Sequence, residues 1–320
     1  MARSTHPHAA LPGVPTAHGI GTSGGRSPAL ALVHALRPGQ WTKNLLVFAP
    51  LLFAIKLFDA RALLLATAGF AIFCALSSVV YLINDVMDRD GDRTHPHKRH
   101  RPIASGDLSV GGAVVAALVL GGLGVGSAFL LGWPFGVIAS LYVTLQTLYS
   151  LALKHIVIID ALTLAIGFLL RAVAGAVVID VEISHWLLVC TILLALFIAL
   201  AKRRHELVLL ADGASSHRPI LGEYSAYLLD QMIGVVTAST LIAYIFYTIS
   251  PETEQKFGTS WLGLTIPFPL YGIFRYLYLV HRREGGGSPS DMLLNDRPLL
   301  ACVTLWVIAV VLIVYHPVVP

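Results

Sequence analysis

NDVMDRDGDRTHPHKRHRPIASG, running from Asn84 to Gly106, places four oxygen-bearing side chains and then a basic cluster directly after a long apolar run. A helix turns roughly 100° and rises roughly 1.5 Å per residue. If the apolar run continues as a straight helix, Asn84, Asp85, Asp88 and Asp92 fall within about one third of its circumference, while Asp90 points elsewhere. Carboxylates crowded on one face repel one another unless a cation sits among them. Hard oxygen ligands of this kind suit Mg²⁺ carrying a substrate phosphate. Asn84, Asp88 and Asp92 are therefore candidate metal ligands, with Asp85 a further ligand or an orienting partner. Lys98, Arg99 and Arg101 follow closely enough to hold more phosphate oxygens. A single Asp or Arg here would read as a charged loop ending a helix; the ordered spacing argues instead for a site.

The apolar run before this motif is one of many. Hydrophobic residues make up 56% of the 320 and charged residues only 12%, which describes a polytopic membrane protein. Apolar runs close to the about 20 residues of a bilayer crossing fall near 39–57, 61–84, 108–132, 134–152, 157–179, 184–201, 225–249, 259–280 and 298–316. They predict an all-α fold of nine transmembrane helices, the first and last marginal. Pro38, Pro50, Pro267 and Pro269 predict kinks or irregular ends in the first and eighth. Gly122 and Gly126 in the third form a small-xxx-small pair suited to close packing. Cys74, Cys190 and Cys302 all lie in apolar stretches, which argues for buried thiols and against a disulfide or zinc framework. Residues 1–28, rich in Gly, Pro, Ser, Ala and His, contain no apolar core of a signal peptide and read as a disordered tail preceding a transmembrane domain at 29–320. His6, His8 and His18 in that tail are too irregularly spaced for a metal site.

The net charge of +4 follows membrane topology and not nucleic-acid binding, because the basic residues are scattered over several loops. With the tail in the cytoplasm, Lys98, Arg99, Arg101, Lys154, Lys202, Arg203, Arg204, Arg218, Arg282, Arg283 and Arg297 all fall inside. Only Lys56, Arg61 and Lys256 fall outside, beside Asp180, Glu182, Glu252 and Glu254. The positive-inside rule thus turns the Asn84–Gly106 motif toward the cytoplasm. One further charge is informative: Arg171 sits deep in the fifth apolar run, where an unmatched cation is costly. Asp160 precedes it by eleven residues, roughly 16 Å along a helix, which is too far for a direct pair. Either another helix supplies a partner or Arg171 serves a deep cavity.

The motif resembles that of the UbiA superfamily of intramembrane prenyltransferases. Asn84, Asp85, Asp88 and Asp92 match its NDxxDxxxD pattern, and His95-Pro96, Lys98-Arg99, Arg101-Pro102 and Ala104-Ser105-Gly106 match its HPxKRxRPxASG continuation. The resemblance covers about residues 30–320. It implies a nine-helix bundle with a cytoplasm-facing cavity in a bacterial inner membrane, where Mg²⁺ holds the donor's diphosphate. Typical members add a second acidic DxxxD motif after the sixth helix. This chain instead reads AKRRHELVLLADG from Ala201, with Lys202, Arg203, Arg204 and Glu206 in that place. More cations and fewer carboxylates suit a donor with an additional phosphate, or an anionic acceptor.

LRPGQWTKNLLVFAPLLFA from Leu36, YSLALKHIVIIDALTLAIGFLLRAVAG from Tyr149 and LLNDRPLL from Leu293 resemble the branch of this superfamily that moves phosphoribose onto decaprenyl phosphate. That resemblance implies 5-phosphoribosyl 1-diphosphate as donor, a polyprenyl phosphate as acceptor, and a product used in arabinan cell-wall synthesis. It also implies phosphate contacts from Gln40, Lys43, Asn44, Lys98, Arg101, Tyr149, Lys154, Lys202, Arg203 and Glu206. Taken alone, Lys43 and Lys154 read equally as helix-end lysines snorkelling to headgroups, and Trp41 as an interfacial anchor. His155, His185 and His205 read as loop or interfacial residues, with His205 set apart by its neighbours Arg204 and Glu206. The rival reading is transfer of a prenyl chain from its diphosphate to an aromatic or other acceptor. A homo-oligomer is compatible with either.

Overall fold

The computed structural model describes residues 27–95, 98–210, 219–282, 292 and 295–315. The tail with its three histidines, and Pro96, His97, Arg218, Arg283, Leu293 and Leu294, lie outside these residues. Every regular element among the described residues is helical. Among the described residues, seven helices are long and apolar enough to cross a membrane. They are α3 (Ala60–Met87), α6 (Val110–Leu131), α7 (Trp133–Leu151), α8 (Ile159–Val178), α9 (His185–Leu210), and the later helices Ala226–Ile249 and Arg297–Tyr315.

The first and eighth predicted spans are the two that differ, and both differ at proline. After the short α1 (Pro28–Leu36), residues Pro38–Phe48 form a 3₁₀ stretch that continues into α2 (Ala49–Phe53). The eighth is divided into a 3₁₀ turn at Trp261–Thr265 and a helix at Pro267–Arg282. Proline lacks the N–H that an interior helical residue donates, so Pro38, Pro50 and Pro267 stand at or next to the start of a new segment, with Pro269 in the first turn of the last one.

α3 organises one half of the bundle. Its 28 residues span roughly 42 Å against a hydrocarbon core of roughly 30 Å, so a turn or more emerges at the membrane face. Asp59 starts it by accepting from the amides of Arg61 and Ala62 at 2.9 and 3.1 Å. Phe73, Leu76 and Val80 on its buried face join Phe135, Ala139 and Tyr142 of α7 and Leu170, Ala174 and Val178 of α8 in one core. Phe73 meets Phe135 edge-on with ring centroids 5.9 Å apart. A second core joins α9 with Ala161 of α8, the helix Ala226–Ile249 and Tyr276. All three cysteines are buried and free.

Close approach of α6 to α3 occurs at Gly124, whose added Cβ would lie 2.7 Å from the Leu76 side chain. Gly122 and Gly126, the expected packing pair, meet nothing within 4 Å and face away from the chain. The tightest backbone contact lies elsewhere. At Gly175 of α8 a Cβ would stand 2.1 Å from the Val47 carbonyl oxygen, so the 3₁₀ stretch presses its backbone directly onto α8. Because the obstacle is backbone, relief requires moving the whole segment. Gly175→Ala is therefore expected to destabilise the protein by about 1–3 kcal/mol, read as a lowered melting temperature in detergent. Gly122→Ala, by contrast, leaves the melting temperature unchanged.

Candidate active site

α3 ends at Asp88, and α4 (Arg89–Thr94) begins at once. The amide of Asp88 donates to the Asn84 carbonyl at 2.9 Å and that of Asp92 to the Asp88 carbonyl at 2.8 Å. This i→i+4 pattern carries the single face across the junction. Asp85 and Asp92 are buried, whereas the Asp90 side chain is 92% exposed. The chain then returns: Arg101 is extended, α5 (Pro102–Ser105) makes one turn, and Gly106 ends it at φ 91°, a left-handed position that glycine adopts without strain. That reversal lays Arg101 on the motif.

Each motif carboxylate is matched by a cation from another segment. Arg101 Nη1 lies 2.6 Å from Asp92 and 3.1 Å from Asp85. Lys154 Nζ, in the 3₁₀ turn Leu153–His155 that follows α7, lies 2.6 Å from Asp88. Asn84 Nδ2 donates to the other Asp88 oxygen at 3.0 Å. Arg37 Nη2 reaches Asp85 at 2.5 Å, with its guanidinium stacked 4.9 Å from the Tyr81 ring centroid. Sequence reasoning missed Arg37. It stands between α1 and the 3₁₀ stretch at φ 54° and ψ 62°, a left-handed conformation costly for an L-residue with a side chain. The one available signal was a cation directly before Pro38, where a helix must stop.

Lys98 completes the cationic rim. Burial pushes its pKa below the usual lysine value and the Arg101 charge adds to this, while Asp92, Glu206 and Asp88 pull it back up. Glu206 of α9 and the acidic motif are thus both within electrostatic reach of Lys98.

The basic segment on α9 is built around a buried hub. Arg203 is 1% exposed, and its guanidinium donates to Asp160 at 2.6 Å, Glu206 at 2.8 Å and the Tyr149 hydroxyl at 3.1 Å. The Tyr224 hydroxyl donates to the other Asp160 oxygen at 2.9 Å and accepts from the Ile158 amide at 2.7 Å. Arg203 thus holds Glu206 and Tyr149 in place from beneath. Lys202 lies 3.8 Å from Glu206 with its side chain 39% exposed. His205 is buried, and Arg204 pairs with Asp230.

Deeper in the bundle, Arg171 Nε donates to Asn44 Oδ1 at 2.8 Å, Nη1 to the Gly167 carbonyl at 2.8 Å, and Nη2 to the Tyr142 hydroxyl at 2.7 Å. Asn44 is fully buried and also donates to Ser77 at 3.1 Å. Gln40 and Lys43 are half-buried on the same 3₁₀ stretch, and Trp41 donates to Ser78 at 3.0 Å.

The donor set fits a hard divalent cation that draws most of its ligands from substrate. Asn84 and Asp88 are adjacent, and the Asp88 side chain is far more open than those of Asp85 and Asp92, at 35% exposure. Arg101 engages one oxygen of Asp92. Among the described residues no group of three or more His, Cys, Asp or Glu side chains converges as a self-sufficient metal cage. Such a site matches Mg²⁺, which keeps several water or phosphate oxygens.

The pattern of the UbiA prenyltransferase family matches residues 45–295. Decaprenyl-phosphate phosphoribosyltransferase of Corynebacterium glutamicum is 33% identical over 289 residues, covering 89% of this chain and 86% of that protein. The enzyme of the same name from Mycolicibacterium smegmatis is 32% identical, covering 86% and 90%. The solved structure of a UbiA homolog from Archaeoglobus fulgidus bound to GPP and Mg²⁺ superposes with a TM-score of 0.67 at 17% identity, over 89% of this chain and 99% of that one.

The Arg37–Asp85 contact yields a direct test. Arg37→Gln leaves a carboxylate of 2% exposure with Arg101 alone, at an expected cost of about 3 kcal/mol. Thermal melting of Arg37→Gln beside the Arg37→Gln, Asp85→Asn double variant measures it. The double variant is expected to regain most of the loss.

Proposed function

This chain belongs to the UbiA prenyltransferase family, and from that premise we propose that it transfers 5-phosphoribose from 5-phosphoribosyl 1-diphosphate to a polyprenyl phosphate, decaprenyl phosphate in particular. The observation that carries this reading is the surplus of cations around the acidic motif. Arg37, Arg101 and Lys154 already match Asp85, Asp92 and Asp88, and Lys98 and the deep Arg171 add further positive charge. Two anionic substrates meeting in a low-dielectric bundle need that excess; a prenyl diphosphate with a neutral acceptor does not. The names of the bacterial relatives support the same assignment.

The reaction is a substitution at the anomeric carbon. An oxygen of the polyprenyl phosphate bonds to C1 of the ribose as the C1–O bond to diphosphate breaks, and diphosphate leaves with the bonding pair. The attacking oxygen is already anionic near neutral pH, so no general base is required. Positioning and charge stabilisation supply the rate, and in-line attack inverts an α donor to a β product. Mg²⁺, when bound by Asn84, Asp88 and Asp92, neutralises charge on the departing diphosphate. Asp85 orients Arg37 and Arg101. Lys98, Arg101, Lys154 and Lys202 contact phosphate oxygens, with Gln40 and Lys43 at the mouth of the same face. Arg203 and Asn44 act from behind, the first holding Glu206 and Tyr149, the second holding Arg171. The site faces the cytoplasm across a bacterial inner membrane, and the product serves arabinan cell-wall synthesis.

Membranes containing the protein, Mg²⁺, decaprenyl phosphate and ribose-labelled phosphoribosyl diphosphate are expected to move label into organic solvent. The Asp88→Ala, Asp92→Ala double variant should lose at least roughly 10³-fold of that turnover. Label confined to the aqueous phase, with diphosphate released from a prenyl donor in the presence of an aromatic acceptor, would transfer the assignment to prenyl transfer. The lowered pKa of Lys98 gives a second outcome. Its charge, and with it donor binding, is lost at lower pH than for an exposed lysine. In a pH profile of the donor KM, Lys98→Arg is therefore expected to extend tight binding further into the alkaline range.

A further inference from the structure

Arg171 lies twelve residues from the start of α8, roughly 18 Å into the bundle. It is 6% exposed, and among the described residues no carboxylate lies within ion-pair distance of it. Its partners are an amide oxygen, a carbonyl and a phenol, all neutral, with the Tyr142 and Phe168 rings 4.7 and 5.1 Å from its guanidinium carbon. A guanidinium has five N–H donors, so these three bonds leave two. Gln146 of α7 is 7% exposed, and its side-chain amide makes no hydrogen bond among the described residues. Both groups face one position. A Cβ on Gly167 would come within 2.2 Å of Gln146 Nε2 and 3.7 Å of Arg171 Nη1, and glycine leaves that space to them.

Uncommitted donors around an unmatched cation in a membrane bundle form an anion site, because a charge at that depth is costly without a counter-charge. The position sets what the anion belongs to. Asn44 joins Arg171 to Ser77, which precedes Asp85 by eight residues of α3, roughly 12 Å along the axis. A molecule gripped by its diphosphate at Asp88 would bring a second anionic group to Arg171 only if that group stood at its opposite end. A prenyl chain lying there would instead seal the guanidinium and the amide against hydrocarbon.

We propose that Arg171 and Gln146 form a subsite for a phosphate monoester. Resting on the phosphoribosyl reading above, that group is the 5-phosphate of the donor, so this pair selects a phosphorylated sugar over a prenyl diphosphate. Asn44 and Tyr142 are positioning residues that aim the guanidinium.

The test uses the full-length protein in detergent with two probes, ribose 5-phosphate and Mg²⁺ with inorganic diphosphate, each read by thermal stabilisation, together with KM values for both substrates. Gln146→Leu removes an amide that bonds to nothing among the described residues, so it is expected to fold with the parent melting temperature. It should bind ribose 5-phosphate roughly 10-fold more weakly, as for loss of one hydrogen bond to a charged group, raise the donor KM by a similar factor, and leave diphosphate binding unchanged. Arg171→Gln should abolish stabilisation by ribose 5-phosphate, and Arg171→Lys should restore part of it. Equal weakening of both probes, no binding of ribose 5-phosphate by the parent, or a KM rise confined to decaprenyl phosphate would each overturn the assignment. Ribose 5-phosphate binding that depends on Gln146 in a protein that transfers no ribose would uphold the subsite and remove the transfer reading instead.

Discussion

At the C-terminal end of α3, three carboxylates meet three cations, each cation from a different part of the chain. Arg37 comes from the break after α1, Arg101 from the loop that doubles back, and Lys154 from the turn after α7. Buried ion pairs of this kind contribute little net stability, because desolvating both partners offsets most of their attraction. Their effect is on register. With Asp85 at 2% exposure, any arrangement that withdrew both Arg37 and Arg101 would strand a charge away from water. The entry segment, the loop and the α7–α8 turn are thereby pinned to one helix end, and the polar groups of the site arrive together.

This matching also determines what the site can accept. With the motif already close to neutral, a divalent cation arriving with a diphosphate adds little net charge. In the proposed reaction the remaining cations then face substrate oxygens. Arginine and lysine divide the work of charge matching by their shapes. A single guanidinium nitrogen of Arg101, Nη1, bridges two carboxylates, whereas the lysines act as movable point charges. On α9, Arg203 forms a fixed, buried frame. Its bonds to Asp160, Glu206 and Tyr149 tie α7, α8 and α9 together.

Local regularities were legible in the sequence. The spacing of Asn84, Asp85, Asp88 and Asp92 held because backbone hydrogen bonding continues through the α3–α4 junction, and the prolines fell where the first and eighth spans break. Long-range partnerships were not legible. Asp160 and Arg203 are 43 residues apart and Arg171 and Asn44 are 127 apart, and nothing in residue type chooses among the polar side chains that a folded bundle could bring near. Gly122 and Gly126 show the same limit, since the small-residue pattern suits packing but does not say which face of α6 meets α3. Ile158 was equally hidden. It sits at φ 69°, unusual for a β-branched residue, in a tight turn closed by the Ile159 amide on the Val157 carbonyl at 2.8 Å. Only Tyr224, 66 residues away, explains how that turn is held.

Asp160 and Arg171 share a helix, and the eleven residues between them force each to find other company. Asp160 is taken by Arg203 and Tyr224 near the membrane face. That leaves Arg171 further along the helix with neutral partners only, a single charge where a hydrocarbon-binding cavity would be apolar. A chain that needed only to pack could have placed leucine there at no electrostatic cost. Keeping a guanidinium there, with Asn44, Tyr142 and Gly167 arranged to hold it, accords with the proposed phosphate subsite, in which a substrate group brings the missing negative charge.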